Sequence, residues 1–233
     1  MGSLDFEPLH PDFGARVRGV SLVGEIADET VEEIKKAIDT YSLLCFPDQP
    51  MNDEAQIAFT RKLGEPEAEH VTLGKTGKIV YFGTVGNVLE DGSKRDGTHP
   101  NTRYQQGNEL WHSDSSFKEI PSKASLLSAR EVPPSGGETE FADMRAAWDT
   151  LSAEKQAEIS DLVAQHNLAY SRATMGYDAG EKFLDVEKSE APPIPQPLIR
   201  VSPITGRKSL YVGSHAAYVD GMDRDAGRTL LDG

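Results

Sequence analysis

Hydrophobic side chains recur at helical spacing early in the chain, in the segment ADETVEEIKKAIDTY at residues 27–41. Val31, Ile34 and Ile38 fall on one stripe of a helix with 3.6 residues per turn, and most of the other positions are polar or charged. Thr30 followed by Glu33 has the order of a capping box, which places the start of the helix near Thr30. The pattern predicts an amphipathic helix with one face on a hydrophobic core.

A short apolar run and a second helix are predicted directly after the first helix. SLLCF has the composition of a buried strand and is ended by Pro47. In NDEAQIAFTRKLG, Asn52 or Asp53 is the predicted N-cap and Gly64 the C-terminal stop. Cys45, in the apolar run, is the only cysteine of the chain, which excludes an intrachain disulfide. We expect its thiol to be buried and inert.

Later segments change between strand, turn and helix patterns. We predict strands in KIVYFGTV, SKASLLSARE, ETEFAD and both halves of QPLIRVSPITGRKSLYVGS, at residues 78–85, 122–131, 138–143 and 196–214. We predict helices in MRAAWDTL, in SAEKQAEISDLVAQH with Ser152 as N-cap, and in DRDAGRTLLDG, at residues 144–151, 152–166 and 223–233. Strands interleaved with turns and peripheral helices favour a β-sandwich or jelly roll over repeated βαβ units.

Composition and charge narrow the classes of function. With 233 residues, of which 37% are hydrophobic and 27% charged, the chain is long enough for one globular domain. Its net charge of −14 argues against nucleic acid and anionic membranes as partners. No run reaches the roughly 18 apolar residues of a membrane helix, and the N-terminal segment lacks the apolar core of a secretory signal. With its single cysteine, the chain fits a reducing cytosol, and an anionic substrate would need local basic contacts.

The segment NELWHSDSSF carries the candidate chemistry. If it is a strand, His112 and Asp114 lie on the same face, where an imidazole and a carboxylate can bind one ion. Such a pair would suit the facial triad of two histidines and one carboxylate that holds non-haem Fe(II). A surface pair, or an aspartate that orients a core histidine, is the plainer alternative. Trp111 and Phe117 flank the pair with bulk that excludes water, and the polar stretch 86–107 before it predicts a functional loop.

These motifs resemble those of one enzyme family. LWHSDSSF followed by LLSAREVPPSGGETEFADMRAAWDTL is similar to the taurine dioxygenase and 2,4-dichlorophenoxyacetate dioxygenase family of Fe(II)/2-oxoglutarate-dependent oxygenases. WHSDSSF and GRKSLYVGSHA are more similar to the phenoxyacetate-degrading branch. The resemblance extends from Leu9 to the last residue. It implies a double-stranded β-helix (jelly roll), mainly β with flanking helices.

The resemblance also implies roles for individual residues. His112 and Asp114 match two iron ligands, Thr139 in GGETEF matches the threonine that binds a carboxylate of 2-oxoglutarate, and Asn108 matches a position near substrate and co-substrate. The third ligand of the family, a histidine, and its 2-oxoglutarate-binding arginine cannot be assigned in this chain. We therefore expect residues 1–233 to be a single oxygenase domain that lacks its C-terminal strands.

Other polar residues are candidates for contact with an acidic substrate. Lys75, Lys78 and Lys94 precede the motif and are able to meet an anionic group, although solvated loop lysines are the plainer interpretation. His215 is a candidate for the wall of the pocket. We interpret His166 as a core histidine or one that supports a metal ligand.

The chemistry of the family gives the functional prediction. Fe(II), with 2-oxoglutarate and O2 as co-substrates, would support hydroxylation of a small organic acid while 2-oxoglutarate is converted to succinate and CO2. An aryloxyacetate hydroxylated beside its ether oxygen collapses to a phenol and glyoxylate. Alternatives are a taurine- or sulfonate-type dioxygenase, a cupin-like hydrolase or isomerase with another metal, and a non-catalytic fragment or pseudoenzyme. The sequence leaves open the natural substrate and the oligomeric state, including a homo-oligomer.

Overall fold

Two units make up the part of the chain that the computed structural model describes, which is residues 4–67, 72–73, 79–80, 85–88, 92–95, 106–175 and 192–233. The first unit consists of Met1–Phe82, Leu126–Ala147 and Ser202–Arg207, and the second of Gly83–Ser125, Trp148–Val201 and Lys208–Gly233. Both units contain helices and small sheets, so the described residues form a mixed α/β structure.

A three-stranded sheet and two helices form the centre of the first unit. Its elements are β1 (Asp5–Pro8), β2 (Ala15–Arg18), α1 (Asp28–Tyr41), β3 (Leu44–Cys45), α2 (Asp53–Leu63), β4 (Thr72–Leu73) and β5 (Ile79–Val80). β2 lies in the middle, antiparallel to β1 and parallel to β3. β4 and β5 form a separate antiparallel pair, and β5 confirms the predicted strand over the two residues that it covers. The buried core of the unit is Leu4, Val17, Leu22, Ile26, Val31, Ile34 and Phe59.

Helix α1 confirms the predicted amphipathic helix but begins earlier than its predicted cap. Val31 and Ile34 are buried, as the apolar stripe predicts. The N-cap is Ala27, which makes no side-chain cap hydrogen bond, so the capping box of Thr30 and Glu33 is wrong. Because the helix already starts at Asp28, the Thr30 hydroxyl lies inside the first turn rather than at the cap position.

Helix α2 and strand β3 confirm two further predictions and correct one. The Asn52 side chain caps α2 by accepting a hydrogen bond from the Ala55 amide at 2.9 Å. β3 is an edge strand of two residues, and successive side chains of a strand point to opposite faces. Leu44 packs against the core, whereas Cys45 is exposed. The expected buried thiol is therefore wrong.

The segments predicted as strands at residues 122–131 and 138–143 contain no strand. Neither segment pairs with a strand in the described residues, and side chains hold part of this backbone instead. Arg130 donates to the carbonyl oxygen of Met51 and, at 2.8 Å, to Asp53 Oδ1. Gln56 Nε2 donates to the carbonyl oxygen of Leu126 at 3.2 Å. Helix α2 thus replaces a neighbouring strand as the partner of residues 126–130.

The second unit contains another three-stranded sheet and a two-stranded hairpin. Its elements, with α3 continuing from the first unit, are α3 (Met144–Thr150), α4 (Ala153–Ile159), β6 (Val163–His166), α5 (Leu168–Ala173), β7 (Ile194–Pro197), β8 (Ile199–Val201), β9 (Lys208–Leu210), β10 (Ala216–Val219) and α6 (Arg224–Asp232). β6 is the central strand, antiparallel to β10 and to β7. A hydrophobic core of Trp148, Ile159, Ala164, Leu198, Ile199 and Ala216 supports this sheet.

Several local predictions in the second unit are confirmed. α3 and α6 form where their patterns predict them, and β8 pairs with β9 around a loop in which Gly206 has a φ of 70°. Ser152 caps α4 by accepting from the Lys155 amide at 3.2 Å. The predicted long helix at 152–166 is wrong in its second half, because Val163–His166 alternates in burial and pairs on both sides as β6. Within the described residues, no helix is long and apolar enough to cross a membrane.

Candidate functional site

The motif that contains His112 and Asp114 forms a turn, so the predicted strand is wrong. A short 3-10 helix ends at Glu109, and a turn begins at Asp114. Ser115 has a φ of 58°, in the left-handed region that reverses the chain direction. The turn brings His112 Nε2 to 3.3 Å from Asp114 Oδ1. The imidazole and the carboxylate therefore converge in a turn rather than on one face of a strand.

The imidazole of His112 is oriented from its other side. Its Nδ1 lies 2.6 Å from the carbonyl oxygen of Leu110. Because a carbonyl only accepts, Nδ1 carries a hydrogen and donates it. In the neutral ring, Nε2 therefore presents a lone pair toward the carboxylate of Asp114. Two acceptors at this distance require a proton or a cation between them, and the backbone bond at Nδ1 is the usual support of a metal-binding histidine.

The protonation of the pair reflects this contact. The hydrogen bond to Asp114 raises the pKa of His112 above its usual value of 6.5. The reciprocal bond from His112 lowers the pKa of Asp114 to about 2. The Ser125 hydroxyl donates to Asp114 Oδ2 at 2.5 Å and also stabilises the carboxylate. In the absence of a bound cation, the site therefore contains an ionised carboxylate and an imidazole that holds a proton.

His215 forms a buried wall beside the pair. Its ring centroid is 5.6 Å from that of His112 and 5.0 Å from that of Phe117, both in edge-to-face contact. Its Nδ1 lies 2.9 Å from Ser171 Oγ. Burial, followed by the nearby charge of His112, lowers the pKa of His215 to about 3, so the ring is neutral near pH 7. His215 therefore packs edge-on beside His112, and its role in the wall of a pocket stays a prediction.

The loop between β9 and β10 holds the first part of the motif. The Ser214 amide donates to the carbonyl oxygen of Trp111 at 2.8 Å. A Cβ at Gly213 would lie 3.1 Å from both the Cα of His112 and the carbonyl oxygen of Trp111. A side chain at this position would require the two backbones to move apart by a few tenths of an ångström, so glycine favours their close approach. The prediction that Trp111 shields the pair from water is wrong, because the residue is 58% exposed.

Arg172 is a cationic residue near the site that sequence reasoning missed. Its Nη2 donates to Asn108 Oδ1 at 3.0 Å. Its charge partly opposes the raised pKa of His112 and adds, after burial and the charge of His112, to the lowered pKa of His215. The guanidinium occupies the space beside Gly107, where a Cβ would lie only 1.5 Å from Nη1. Asn108 and Arg172 are 64 residues apart, and no sequence pattern connects them. Only the lack of a side chain at Gly107 hints at a close approach.

The other predicted site residues are either exposed or outside the described part of the chain. Thr139 belongs to the first unit and is exposed. Lys94 is exposed and forms an isolated bridge with Val88. Lys75 and Lys78 fall outside the described residues, as do His70 and His99. Within the described ranges, no group of three or more His, Cys, Asp or Glu side chains is arranged to hold a metal. His112 and Asp114 thus stand as a pair there.

Curated relatives of the chain are α-ketoglutarate-dependent dioxygenases. The chain is 38% identical over 229 residues to the α-ketoglutarate-dependent 2,4-dichlorophenoxyacetate dioxygenase of Cupriavidus pinatubonensis, covering 96% of this chain and 78% of the relative. It is 36% identical over 236 residues to the (S)-phenoxypropionate/α-ketoglutarate-dioxygenase of Sphingobium herbicidovorans, covering 98% of this chain and 77% of the relative.

Solved structures show the same relationship. The crystal structure of AAD-2 in complex with Mn(II) and N-oxalylglycine matches with a TM-score of 0.87 and 40% identity, over 99% of this chain and 78% of that chain. A taurine dioxygenase from Burkholderia xenovorans matches with a TM-score of 0.72 over 99% of this chain and 72% of that chain. Its 24% identity supports the shared fold alone.

The donor set of the turn fits the metal that such enzymes require. An imidazole nitrogen held in the correct tautomer and an ionised carboxylate are two of the three ligands in a facial triad. The family model for taurine catabolism dioxygenase TauD, TfdA family, matches residues 5–233, which is nearly the whole chain. The chain therefore belongs to the TauD, TfdA family of α-ketoglutarate-dependent dioxygenases, which use a divalent metal and 2-oxoglutarate.

Proposed function

We propose that this chain acts as an Fe(II)- and 2-oxoglutarate-dependent dioxygenase of small aryloxyalkanoic acids, with His112 and Asp114 as two ligands of the metal. The observation that carries the proposal is the 3.3 Å contact between His112 Nε2 and Asp114 Oδ1, with His112 Nδ1 bonded to Leu110. One divalent ion is able to replace the shared proton and contact both atoms. When bound, the metal supplies the oxidative chemistry, and the chain supplies orientation and exclusion of water.

The metal assignment is tested by anaerobic titration with Fe(II) and 2-oxoglutarate. The wild-type complex should develop a weak visible charge-transfer band, and His112→Ala and Asp114→Ala should lose it. His10→Ala is the matched control, because His10 is an exposed histidine whose Nδ1 accepts a hydrogen bond from the nearby Asp12 amide at 3.2 Å and lies 3.6 Å from the Asp12 carboxylate. A band of unchanged intensity in His112→Ala would contradict the assignment. Metal binding without succinate formation would favour the non-catalytic alternative.

The third ligand and the arginine for 2-oxoglutarate are proposed to come from outside the described residues. Support for the third ligand is the lack of any three-residue group of His, Cys, Asp or Glu ligands within the described ranges, whereas the arginine is proposed from the family resemblance alone. His215 is the alternative nearest to the pair, but it does not complete a three-residue ligand group with His112 and Asp114 within the described ranges. We therefore expect His215→Ala to retain the metal stoichiometry of the wild type. We also keep the expectation of one oxygenase domain over residues 1–233 with a jelly-roll fold.

For the co-substrate, we propose contacts from Thr139 and Asn108. Thr139 is assigned by the family motif GGETEF, and Asn108 by its position before the ligand pair. A hydroxyl or amide that donates to a carboxylate contributes a charge-assisted hydrogen bond. Thr139→Val should therefore raise the KM for 2-oxoglutarate more than the KM for the acid substrate. An equal rise of both KM values would point to general damage.

The substrate class follows from the relatives that act on phenoxyacetate and phenoxypropionate compounds. We propose Lys75, Lys94 and His215 as candidate contacts for such acids, with the aromatic ring against the neutral His215. Release of succinate should be faster with aryloxyacetates and aryloxypropionates than with taurine or sulfate esters. The sulfate ester comparison is informative because a dioxygenase of that class from Pseudomonas putida is 32% identical to this chain. Faster turnover with taurine or a sulfate ester would overturn the preference.

A further inference from the structure

The buried side of the metal-binding turn is tied to the central strand of the second sheet. Ser116 follows Asp114 by two residues and is only 1% exposed. Its Oγ lies 3.0 Å from Nδ1 of His166, which is the last residue of β6 and is 2% exposed. β6 pairs with a strand on each side, so it is the most restrained strand of the sheet. The turn thus has an anchor at its carboxylate end.

A second side chain from the same sheet holds the backbone of the turn. Gln196 on β7 donates through Nε2 to the carbonyl oxygens of Ser116 at 3.1 Å and Lys118 at 3.0 Å. Gln196 is opposite Ala164 in the sheet register, two residues before His166. Gln196 and His166 therefore project from the same face of the sheet. Together they hold both the side chain and the backbone of Ser116.

The ring of His166 is itself fixed in orientation. It stacks on the ring of Tyr211, with centroids 5.6 Å apart and planes inclined by 17°. On Tyr211, the guanidinium carbon of Arg200 lies 4.6 Å from the ring centroid. Stacking on one face restricts rotation of the imidazole, so its Nδ1 stays directed at Ser116.

Burial of a histidine at this position costs free energy, so packing alone does not explain why a histidine rather than an apolar ring stands here. Its Nε2 is buried and has no hydrogen-bond partner within the described part of the chain. An unsatisfied polar atom in the interior is unfavourable, and an apolar ring of similar size would avoid that penalty. The contact between Nδ1 and Ser116 is the interaction that only a polar side chain provides here.

We propose that His166 is a positioning residue of the metal-binding turn, which holds Ser116 so that the carboxylate of Asp114 is directed at His112 Nε2. This inference rests on the proposed role of His112 and Asp114 as metal ligands. Ser115, between Asp114 and Ser116, has a left-handed backbone that is unfavourable for a residue with a side chain. An anchor directly after such a residue keeps the turn from relaxing and moving the carboxylate.

The test compares Mn(II) affinity across variants of the anchor. His166→Phe keeps a ring against Tyr211 but loses the contact to Ser116, and it should weaken Mn(II) binding by about tenfold. His166→Asn places a polar atom close to the position of Nδ1 and should restore most of the affinity. Tyr211→Phe is the matched control, since it keeps the stacked ring and lacks only the hydroxyl. It should bind Mn(II) as the wild type does.

A double-mutant cycle separates positioning from general damage. Ser116→Ala should weaken Mn(II) binding as His166→Phe does, and the double variant should be no weaker than either single variant. Unchanged affinity in both single variants, or fully additive losses, would overturn the inference. If His166→Phe does not fold, Ser116→Ala and His166→Asn decide the question in the same way. Retention of metal by His112→Ala would instead show that the proposed function is wrong.

Discussion

At the residue scale, the contact between His112 and Asp114 holds a proton that a metal at the proposed site would have to displace. Their contact raises the pKa of His112 above 6.5 and lowers that of Asp114 to about 2. Metal ligands bind in their deprotonated forms, so metal affinity depends on pH wherever a ligand still carries a proton. If the turn holds the metal as proposed, metal binding is coupled to the protonation state of the His112 imidazole.

We expect the Mn(II) affinity of the metal-free protein to fall as the pH is lowered through the raised pKa of His112. Above that pKa the affinity should be constant, and below it each pH unit should reduce the affinity about tenfold, as for competition by one proton. Equilibrium titrations between pH 6 and pH 9 measure the profile. A profile whose break lies well below pH 6.5 would contradict the raised pKa.

His166 predicts a different pH effect, on stability. Burial lowers its pKa in the folded protein to about 4, below the unfolded value of 6.5. The neutral form is therefore the one that folding favours, and this contribution is fully present above pH 6.5. As the pH falls, the unfolded chain binds the proton first, and stability is lost progressively down to the folded pKa. His215, with a pKa of about 3, acts in the same direction.

We predict that the free energy of unfolding decreases by about 1.2 kcal/mol between pH 7 and pH 5.5 through His166 alone, because over this range the histidine of the unfolded chain takes up most of a proton and that of the folded protein does not. Urea unfolding at the two pH values measures it, and His166→Asn, which cannot titrate, isolates the contribution. The variant should lose correspondingly less stability over this range. An equal loss in wild type and variant would show that His166 takes up a proton as easily in the folded protein as in the unfolded chain.

At the scale of elements, sequence patterns predict the helices and turns whose structure depends on neighbouring residues in the chain. Helices α1, α2, α3 and α6 and the β8–β9 hairpin form where periodicity, caps or turn glycines indicate them. The elements that were mispredicted depend on distant partners. β6 is a strand because β7 and β10 pair with it, and residues 122–131 are not, because no strand pairs with them in the described chain. The left-handed Ser115 could not be predicted either, because a positive φ is unfavourable for serine and no local sequence pattern indicates it.

The start of α3 shows how one ion pair stabilises an element. Asp143 accepts from the Arg145 amide at 2.9 Å and from Arg145 Nε at 3.0 Å, and its side chain is only 4% exposed. Arg145 in turn donates through Nη1 to the carbonyl oxygen of Thr40 at the end of α1. Removing the carboxylate would leave a buried guanidinium without its counter-ion, which is far more costly than losing a surface pair.

We predict that Asp143→Ala lowers the free energy of unfolding by about 3–5 kcal/mol. Asp161→Ala is the control, because Asp161 is an exposed carboxylate in the turn before β6, and it should change stability by no more than about 0.5 kcal/mol. Thermal and urea unfolding of both variants provide the measurement. Equal stability of the two variants would mean that the Asp143–Arg145 pair contributes no more than a surface charge.

At the scale of the whole molecule, the family could be predicted from sequence, whereas the arrangement of the site could not. The motif WHSDSSF and the GGETEF segment led to a family that the comparisons confirm over nearly the entire chain. Arg172, however, reaches Asn108 only because α5 and the short 3-10 helix meet in the folded second unit. Contacts of this kind are not encoded in local spacing. The net charge of −14, in contrast, is read directly from sequence and acts on every ligand.

That net charge predicts opposite salt effects for the two ligands of the proposed site. A strongly negative chain attracts a divalent cation and repels the dianion 2-oxoglutarate. Salt screens both effects, because the Debye length falls from about 30 Å at 0.01 M to about 8 Å at 0.15 M ionic strength. Between these ionic strengths, Mn(II) binding should weaken, while the KM for 2-oxoglutarate should fall or stay constant. Parallel titrations and initial-rate assays in NaCl measure the two slopes. If 2-oxoglutarate binding also weakens with salt, local cations such as Arg172 outweigh the net charge, and Arg172→Gln should then abolish that dependence.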